Sequence, residues 1–431
     1  MTNKIDQEDW MTTRRTVLKG MTAAGGLLAA PQLLRAQAKT ELNVIWVGWP
    51  ESHITPMAEM FMKNNPTIGL KLERIPFNEL FPALEVRLQA RTPLPDIFFA
   101  DGPLTASYSI RKHLAELDGI LGNDLGRYTK AALAQGTYKG KLMTLPYISS
   151  GMVLFLNRKH FADAGVALPE PDVAKRWTWE QTLEAAKKLT DPAKNQWGLV
   201  FEMADRPYQA LTLPQSKGAQ VLSEDGLTAT GYVDSKPFID AMQFYADLFN
   251  KHKVTPTGVF DTNLALEMFA TGRASMYLAT TPSLASISAR KDLDWTVAPQ
   301  PYFEGGKAVT PTGSWHIGMN PRTKQRAAAE TFIKAFAQPE YVEAQARLRP
   351  NPPVLKSVWD SMGAELDTPG WRIVRSEMEN TAVPRPATPG WLEYEDILRG
   401  AFREIQGGAN VEQRLKKAAR DIDREFAKYR G

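Results

Sequence analysis

The stretch TLPYISSGMVLFLN, residues 144–157, decides how the chain is organised. Residues 153–156 form a continuous apolar run, which is typical of a β-strand covered on both faces. Ser149, Ser150 and Gly151 interrupt the stretch immediately before that run. A buried hydroxyl without a hydrogen-bond partner costs about 1–3 kcal/mol, so two serines beside a glycine are out of place in a dry core. A single buried strand does not explain this polar joint.

Composition indicates a soluble globular protein. The chain has 431 residues, of which 43% are hydrophobic and 23% charged, and this length favours two or more lobes. Its formal net charge is +4, from 52 basic and 48 acidic residues, so nucleic-acid binding has little support. The sequence contains no cysteine, which excludes disulfides, thiolate metal sites and a cysteine nucleophile.

Residues 1–38 are predicted to be an export leader. Arg14 and Arg15 precede a short apolar stretch, and Ala-Gln-Ala offers a cleavage site before Lys39. The paired arginines resemble a twin-arginine signal, with Val17 where that signal usually has Phe, and a Sec-type leader is the alternative. We therefore expect a soluble periplasmic protein without a lipid anchor.

The mature chain alternates between strands and helices. Residues 41–102 predict strand, helix, strand, helix, strand, a rhythm that indicates a parallel α/β sheet. Ligands bind beyond the carboxyl ends of strands in such sheets, here residues 46–53 and 101–102. A second α/β unit begins at Met152, and the segment AVPRPATPGW, residues 382–391, is interpreted as a proline-rich connection.

Motifs of the common enzyme classes are absent from the sequence. Its five histidines are scattered, and it has no HExxH, GxSxG, GxGxxG or P-loop pattern. Two Ser-x-x-Lys matches, at residues 109–112 and 288–291, lack the companion Lys-Thr-Gly motif. We predict a protein that is not an enzyme and that carries neither a metal nor a cofactor.

Several motifs resemble the extracellular solute-binding proteins of ABC importers, the group that includes maltose-binding protein. They are YKGKLMTLPYISSGMVLFLNRKHFADAGV (138–166), TWEQ (178–181), FATGRASMYLATTP (269–282) and GSWHIGMNPRTKQRAAAETFIKAFAQPE (313–340). Arg273 and Ser275 are mild departures from the family pattern. The resemblance covers about residues 40 to 430.

The resemblance implies an α/β fold of two lobes that close over a ligand cleft about an interlobe hinge. The amino-terminal lobe is predicted at residues 39–149 and 315–357, and the carboxyl-terminal lobe at 152–312 and 361–431. The chain is expected to cross between them near 149–152, 313–316 and 358–362. The opening stretch then becomes two half-strands in different lobes, with Gly151 absorbing the dihedral change of closure.

Sugar recognition needs planar polar groups for hydroxyls and aromatic faces for C–H groups, which guides the choice of site residues. Trp315 is the strongest candidate for stacking on the ligand. For Trp49 the alternative role is packing in the lobe core, and for Asp101 it is capping of a turn. For Trp391 and Tyr394 the alternative role is packing between the lobes. The predicted ligand contacts are Trp49, Glu51, Ser52, His53, Asp101, Ser149, Ser150, Arg206, Tyr208, Gly218, Gly313, Ser314, Trp315, Arg349, Trp391 and Tyr394.

Three arginines keep a second ligand class open. In a closed cleft, Arg206, Arg347 or Arg349 could contact a carboxylate, phosphate or sulfonate with two hydrogen bonds. An acidic sugar or a phosphorylated polyol is therefore the less favoured ligand class. The alternative for each arginine is a surface ion pair, which contributes little to stability.

We therefore expect a monomeric binding protein that captures a carbohydrate or polyol and delivers it to an ABC permease at the inner membrane. Closure rather than catalysis is the expected mechanism. A periplasmic glycan-active enzyme, which needs two carboxylates facing across the cleft, is one alternative. A sugar receptor for a sensory system is another, and the lack of cysteine argues against a metal-ion carrier.

Overall fold

Two β-sheets organise the part of the chain that the computed structural model describes, residues 39–122 and 124–430. The predicted leader at residues 1–38 lies outside the described residues. The strands are β1 Thr40–Val47, β2 Ile68–Ile75, β3 Ile97–Asp101, β4 Thr137–Tyr138, β5 Lys141–Leu142, β6 Leu145–Ser150, β7 Met152–Asn157, β8 Trp197–Phe201, β9 Ala274–Thr280, β10 Trp295–Pro299, β11 Thr310–Pro311, β12 Gly313–Met319 and β13 Ala382–Val383.

Helices cover both sheets. They are α1 Glu51–Asn64, α2 Phe77–Gln89, α3 Leu104–Ile110, α4 Asp118–Leu121, α5 Lys130–Gly136, α6 Arg158–Asp163, α7 Trp179–Leu189, α8 Pro207–Ala210, α9 Thr212–Ser216, α10 Lys236–Asn250, α11 Thr262–Ala270, α12 Ser283–Ser288, α13 Arg326–Phe336, α14 Pro339–Leu348, α15 Lys356–Ser361, α16 Pro369–Asn380, α17 Trp391–Gln406 and α18 Val411–Phe426. Short 3₁₀ turns span Leu125–Arg127, Val173–Lys175, Pro192–Lys194 and Ala427–Tyr429.

The first sheet has five strands in the order β2-β1-β3-β12-β6. β1 runs parallel to β2 and β3, and β12 runs antiparallel to β3 and β6. α1 and α2 connect the parallel strands, and α13 packs against β1 and β12. The strand and helix alternation predicted for residues 41–102 is confirmed, and the carboxyl ends of β1 and β3 lie at one edge of this sheet.

The second sheet has four strands in the order β10-β7-β9-β8. Every residue of β7 is buried. Leu154 and Leu156 pack into the larger hydrophobic core, whereas Val153 and Phe155 pack into the smaller core. This alternation explains the continuous apolar run, because both faces of β7 are covered.

Gly151 is the point at which the chain passes from the first sheet to the second. β6 ends at Ser150, opposite Gly313 of β12, and β7 begins at Met152, opposite Thr280 of β9. The carbonyl of Gly151 accepts a hydrogen bond from the backbone N–H of Thr281 at 2.9 Å. The polar interruption in the opening stretch is therefore the junction of two sheets.

None of the helices within residues 39–122 and 124–430 combines the length and apolarity that crossing a membrane requires.

Replacement of Gly151 by valine should destabilise the junction. A Cβ at this position would lie 3.1 Å from Met378 Sδ and 3.2 Å from Thr310 Cγ2, so a branched side chain overpacks it. Overpacking costs about 1–3 kcal/mol, which urea unfolding would measure as a lower midpoint at unchanged slope. Gly69→Val in β2 is the matched control, because a Cβ there meets only Lys39 Cβ, at 4.0 Å. Equal stability of the two variants would contradict the crowding argument.

Candidate functional site

A buried ion pair lies where the first sheet meets the segment before α17. Asp101 is the last residue of β3, and Arg385 follows β13. The guanidinium donates through Nη1 to Asp101 Oδ2 at 2.6 Å and through Nη2 to Oδ1. The side chains are 3% exposed for Arg385 and 10% exposed for Asp101. The arrangement is a bidentate, charge-assisted contact that is shielded from water.

Polar side chains at the start of β12 extend this pair. Arg385 Nη2 lies 3.3 Å from Ser314 Oγ, and the Ser314 hydroxyl donates to Gln135 Oε1 at 2.5 Å. Gln135 Nε2 in turn donates to Thr312 Oγ1 at 2.6 Å. Ser149 lies opposite Ser314 on β6, and its buried hydroxyl has no hydrogen-bond partner within the described residues.

Four aromatic rings form a wall beside the ion pair, here called the aromatic wall: Trp49, Phe77, Phe81 and Trp315. Trp315 meets Trp49 edge-on at 5.4 Å and Phe77 at 6.0 Å between ring centroids, and it stacks on Phe81 at 6.2 Å. Phe77 is 39% exposed, and the other three rings are half-buried. The wall therefore presents partly exposed aromatic surface.

Arg206 immediately precedes the short helix α8, which contains Tyr208, and it faces the aromatic wall. The Arg206 guanidinium lies 5.5 Å from the Phe77 ring centroid and 5.4 Å from that of Tyr208, and it is 2.9 Å from Glu395 Oε1. Burial, followed by the charge of Glu202, raises the pKa of Tyr208 to about 12. Arg385 lies over the same tyrosine ring at 5.2 Å.

Glu202 anchors α8 and the turn that precedes it. Its carboxylate accepts hydrogen bonds from Gln209 Nε2 at 2.8 Å and from Thr280 N at 3.0 Å. Gln209 Nε2 also donates to the Tyr208 hydroxyl at 3.2 Å. Burial raises the pKa of Glu202 against the effect of these donors. The start of α8 is thus fixed by polar contacts at the end of β8 in the second sheet.

Arg349 lies over Trp49, whereas Arg206 lies over Phe77, another ring of the wall. Its guanidinium carbon is 4.2 Å from the Trp49 ring centroid, and burial lowers its pKa to about 10. Its Nη1 is buried without a hydrogen-bond partner within the described residues. Arg347 behaves differently, because it is exposed and pairs with Glu343 at 2.5 Å and Glu365 at 2.9 Å.

Most of the predicted site residues lie in or beside this cluster. Those on the side of the first sheet are Trp49, His53, Asp101, Ser149, Ser150, Gly313, Ser314, Trp315 and Arg349. Those opposite them are Arg206, Tyr208 and Trp391. Trp391 is 1% exposed and packs under Arg385, with its ring centroid 5.6 Å from the guanidinium carbon.

The remaining predicted residues have other surroundings. Glu51 and Ser52 are exposed in the first turn of α1, with Glu51 3.5 Å from Arg74. Gly218 follows α9 with φ +88°, and a Cβ there would meet no described atom within 4 Å. Tyr394 is 0% exposed, and its hydroxyl donates to the Val221 carbonyl at 3.1 Å.

Sequence reasoning missed four residues of the cluster: Phe77, Phe81, Gln135 and Arg385. The two phenylalanines are spaced four residues apart on α2, a pattern that also describes an ordinary core-facing helix. Arg385 lies in the proline-rich segment at residues 382–391, whose composition predicts a connection. Arg385 is the single charged residue in that segment, and this charge was the available sign of a role beyond a connection.

A family model described as bacterial extracellular solute-binding protein matches residues 50–343. The sn-glycerol-3-phosphate-binding periplasmic protein UgpB of Agrobacterium fabrum is 24% identical over 200 residues, which cover 45% of this chain and 44% of that protein. This chain thus spans less than half of that relative. The diacetylchitobiose binding protein DasA of Streptomyces coelicolor is 21% identical over 83% of this chain and 82% of its own.

The fold also matches solved structures. The substrate-binding protein Lmo0181 from Listeria monocytogenes, solved in complex with cycloalternan, superposes with a TM-score of 0.78 and 21% identity over 90% of this chain and 99% of that chain. This superposition confirms the predicted two-lobed α/β fold. Because the family model spans more than half of the sequence, the chain belongs to the bacterial extracellular solute-binding proteins.

Proposed function

We propose that this protein captures a sugar, a polyol or a derivative of one between its two sheets and delivers it to an ABC permease in the inner membrane. The observation that carries the proposal is the aromatic wall facing Arg206 and Tyr208, beside the Asp101–Arg385 ion pair. Aromatic faces contact the C–H groups of a sugar ring, and fixed polar groups bind its hydroxyls.

The named relatives support this ligand class. One is described as binding sn-glycerol 3-phosphate, another diacetylchitobiose, and the Listeria protein was solved with cycloalternan. These ligands are all polyhydroxylated compounds or their derivatives. The buried hydroxyl of Ser149 and the partly exposed wall offer both kinds of contact that such molecules need.

We propose closure rather than catalysis as the mechanism. The lobes are proposed at 39–149 with 315–357 and at 152–312 with 361–431, hinged near 149–152, 313–316 and 358–362. Contacts between Asp101 and Arg385, and between Phe77 and Arg206, would then join the lobes. A ligand shifts the equilibrium only by its differential affinity for the closed form, so it must touch both sides.

The proposed setting is the periplasm. The leader at residues 1–38 would export the chain by the twin-arginine route, and the mature protein would act there as a soluble monomer. Family membership supports a role outside the cytoplasm, because the family description names extracellular proteins.

A thermal-shift screen against sugars, polyols and acidic sugars tests the ligand class. A ligand at a hundredfold excess over its dissociation constant should raise the free energy of unfolding by about 2.7 kcal/mol. The expected result is a raised melting temperature with at least one carbohydrate and none with amino acids or short peptides. A shift with amino acids alone would contradict the proposal, and so would turnover of a bound sugar.

Trp315→Ala should weaken carbohydrate binding by about tenfold or more, because it removes the apolar area that the ring buries against the sugar as well as the roughly 0.5–1.5 kcal/mol of stacking beyond that area. Isothermal titration calorimetry would measure the change with the best compound from the screen. Trp371→Ala is the control, since this half-buried tryptophan lies on α16 and packs against Trp359 away from the wall. Unchanged affinity in Trp315→Ala would remove this residue from the site.

Asp101→Asn should destabilise the protein strongly, because it leaves the buried Arg385 charge uncompensated. Losing one partner of a buried pair costs about 3–5 kcal/mol. The double variant Asp101→Asn with Arg385→Gln should recover part of that loss, with a coupling energy of about 0.5–3 kcal/mol from urea unfolding. Strictly additive effects would show that the pair does not act as a unit.

A further inference from the structure

We propose that an anionic group of the ligand binds at Arg349, so that the solute is a sugar or polyol carrying a carboxylate, phosphate or sulfonate. This inference rests on the proposed function and narrows it. It concerns one end of the aromatic wall, where Arg349, Trp49, His53 and Tyr147 lie together.

The backbone brings the guanidinium to the wall. α14 ends at Leu348, and Arg349 adopts an extended conformation with φ −140° and ψ 95°. Its guanidinium carbon then lies 4.2 Å from the Trp49 ring centroid, and Trp49 touches Trp315 at the centre of the wall. A ligand stacked on the wall would therefore lie beside this cation.

Arg349 lacks the carboxylate that compensates the other two arginines of the cluster. Arg385 pairs with Asp101, and Arg206 pairs with Glu395 at 2.9 Å. No described carboxylate lies within 4 Å of the Arg349 guanidinium, and its Nη1 is buried without a hydrogen-bond partner in the same part of the chain. Arg349 is half-buried as a whole, and the buried Nη1 of this charge is costly to leave unpaired unless a partner arrives from outside.

The neighbouring polar groups are also unsatisfied. Among the described residues, the Tyr147 hydroxyl and His53 Nδ1 are buried without a hydrogen-bond partner. Burial, and then the charge of Arg349, lowers the pKa of His53. Burial raises the pKa of Tyr147, and the charge of Arg349 opposes that rise. The guanidinium and the phenol are hydrogen-bond donors, which suits an anionic acceptor with several oxygen atoms.

A neutral sugar would leave this charge uncompensated. A hydroxyl oxygen can accept one hydrogen bond from Nη1, but it supplies no opposite charge to this half-buried guanidinium. Stacking on Trp49 is favourable for a cation, yet it satisfies no N–H group. The observed set of groups therefore favours an anion over a neutral hydroxyl.

Calorimetric titration with matched charged and neutral compounds tests the inference: sn-glycerol 3-phosphate against glycerol, glucose 6-phosphate against glucose, and glucuronate against glucose. The wild type should bind a charged member about tenfold or more tightly than its neutral counterpart. The phosphate and carboxylate arms distinguish the two kinds of anion. High sodium chloride should weaken only the binding of the charged compounds.

Arg349→Gln is the test variant, and Arg347→Gln is its matched control. Arg347 lies two residues earlier, is exposed and pairs with Glu343 and Glu365. Arg349→Gln should lose about tenfold or more of the affinity for the charged compound and the preference over its neutral partner. Arg347→Gln should keep both. Titration of inorganic phosphate alone should raise the melting temperature of the wild type more than that of Arg349→Gln.

The melting temperature without ligand separates a binding role from a structural one. Since the half-buried Arg349 has no carboxylate partner among the described residues, Arg349→Gln should melt at the wild-type temperature or above it. A clear drop would assign a structural role and overturn the inference. Equal binding of charged and neutral compounds by the wild type would also overturn it and leave the proposed function standing. Binding of no carbohydrate of either kind would overturn the proposed function itself.

Discussion

The buried pair between Asp101 and Arg385 constrains the geometry of the whole site. Two charges withdrawn from water are tolerated only when their geometry is good and the remaining hydrogen-bonding atoms are largely satisfied. Here the end of β3 supplies the carboxylate, while Gln135 and Ser314 surround the pair. The Tyr208 and Trp391 rings pack against the same Arg385 guanidinium. The Asp101–Arg385 contact therefore fixes the position of these rings relative to the end of β3.

The position of this pair follows from how the chain passes between the sheets. β6 and β7 are consecutive in sequence but belong to different sheets, and β12 enters the first sheet directly after the short strand β11. Residues at these junctions are close to both sheets, and the small polar side chains of Ser149 and Ser314 occur there. A continuous hydrophobic strand could not place hydroxyls at this junction, which is part of the proposed site.

Much of the fold was predictable because its signals are local. The apolar run of β7 and the alternation in residues 41–102 report burial directly, whereas the partner of Asp101 is 284 residues away in a segment that resembles a connection. Phe77 and Phe81 carry a pattern that core packing would also produce. Arg347 and Arg349 are indistinguishable in sequence, and only the end of α14 between them directs one to surface carboxylates and the other over Trp49.

In the proposed mechanism, the charge balance of the cluster would connect selectivity for the solute with closure of the lobes. Arg206 and Arg385 are compensated by the protein's own carboxylates. They therefore fix the geometry of the cluster and would contribute little selectivity for a charged solute. Arg349 has no such partner among the described residues. An anion that supplied the missing charge would bind more strongly as water is excluded, because the electrostatic attraction increases when the effective dielectric constant falls. If closing the lobes excludes water from Trp49, the anionic ligand favours the closed form by more than a neutral one of the same shape. The same uncompensated charge would then both select the solute and provide the differential affinity that closure requires.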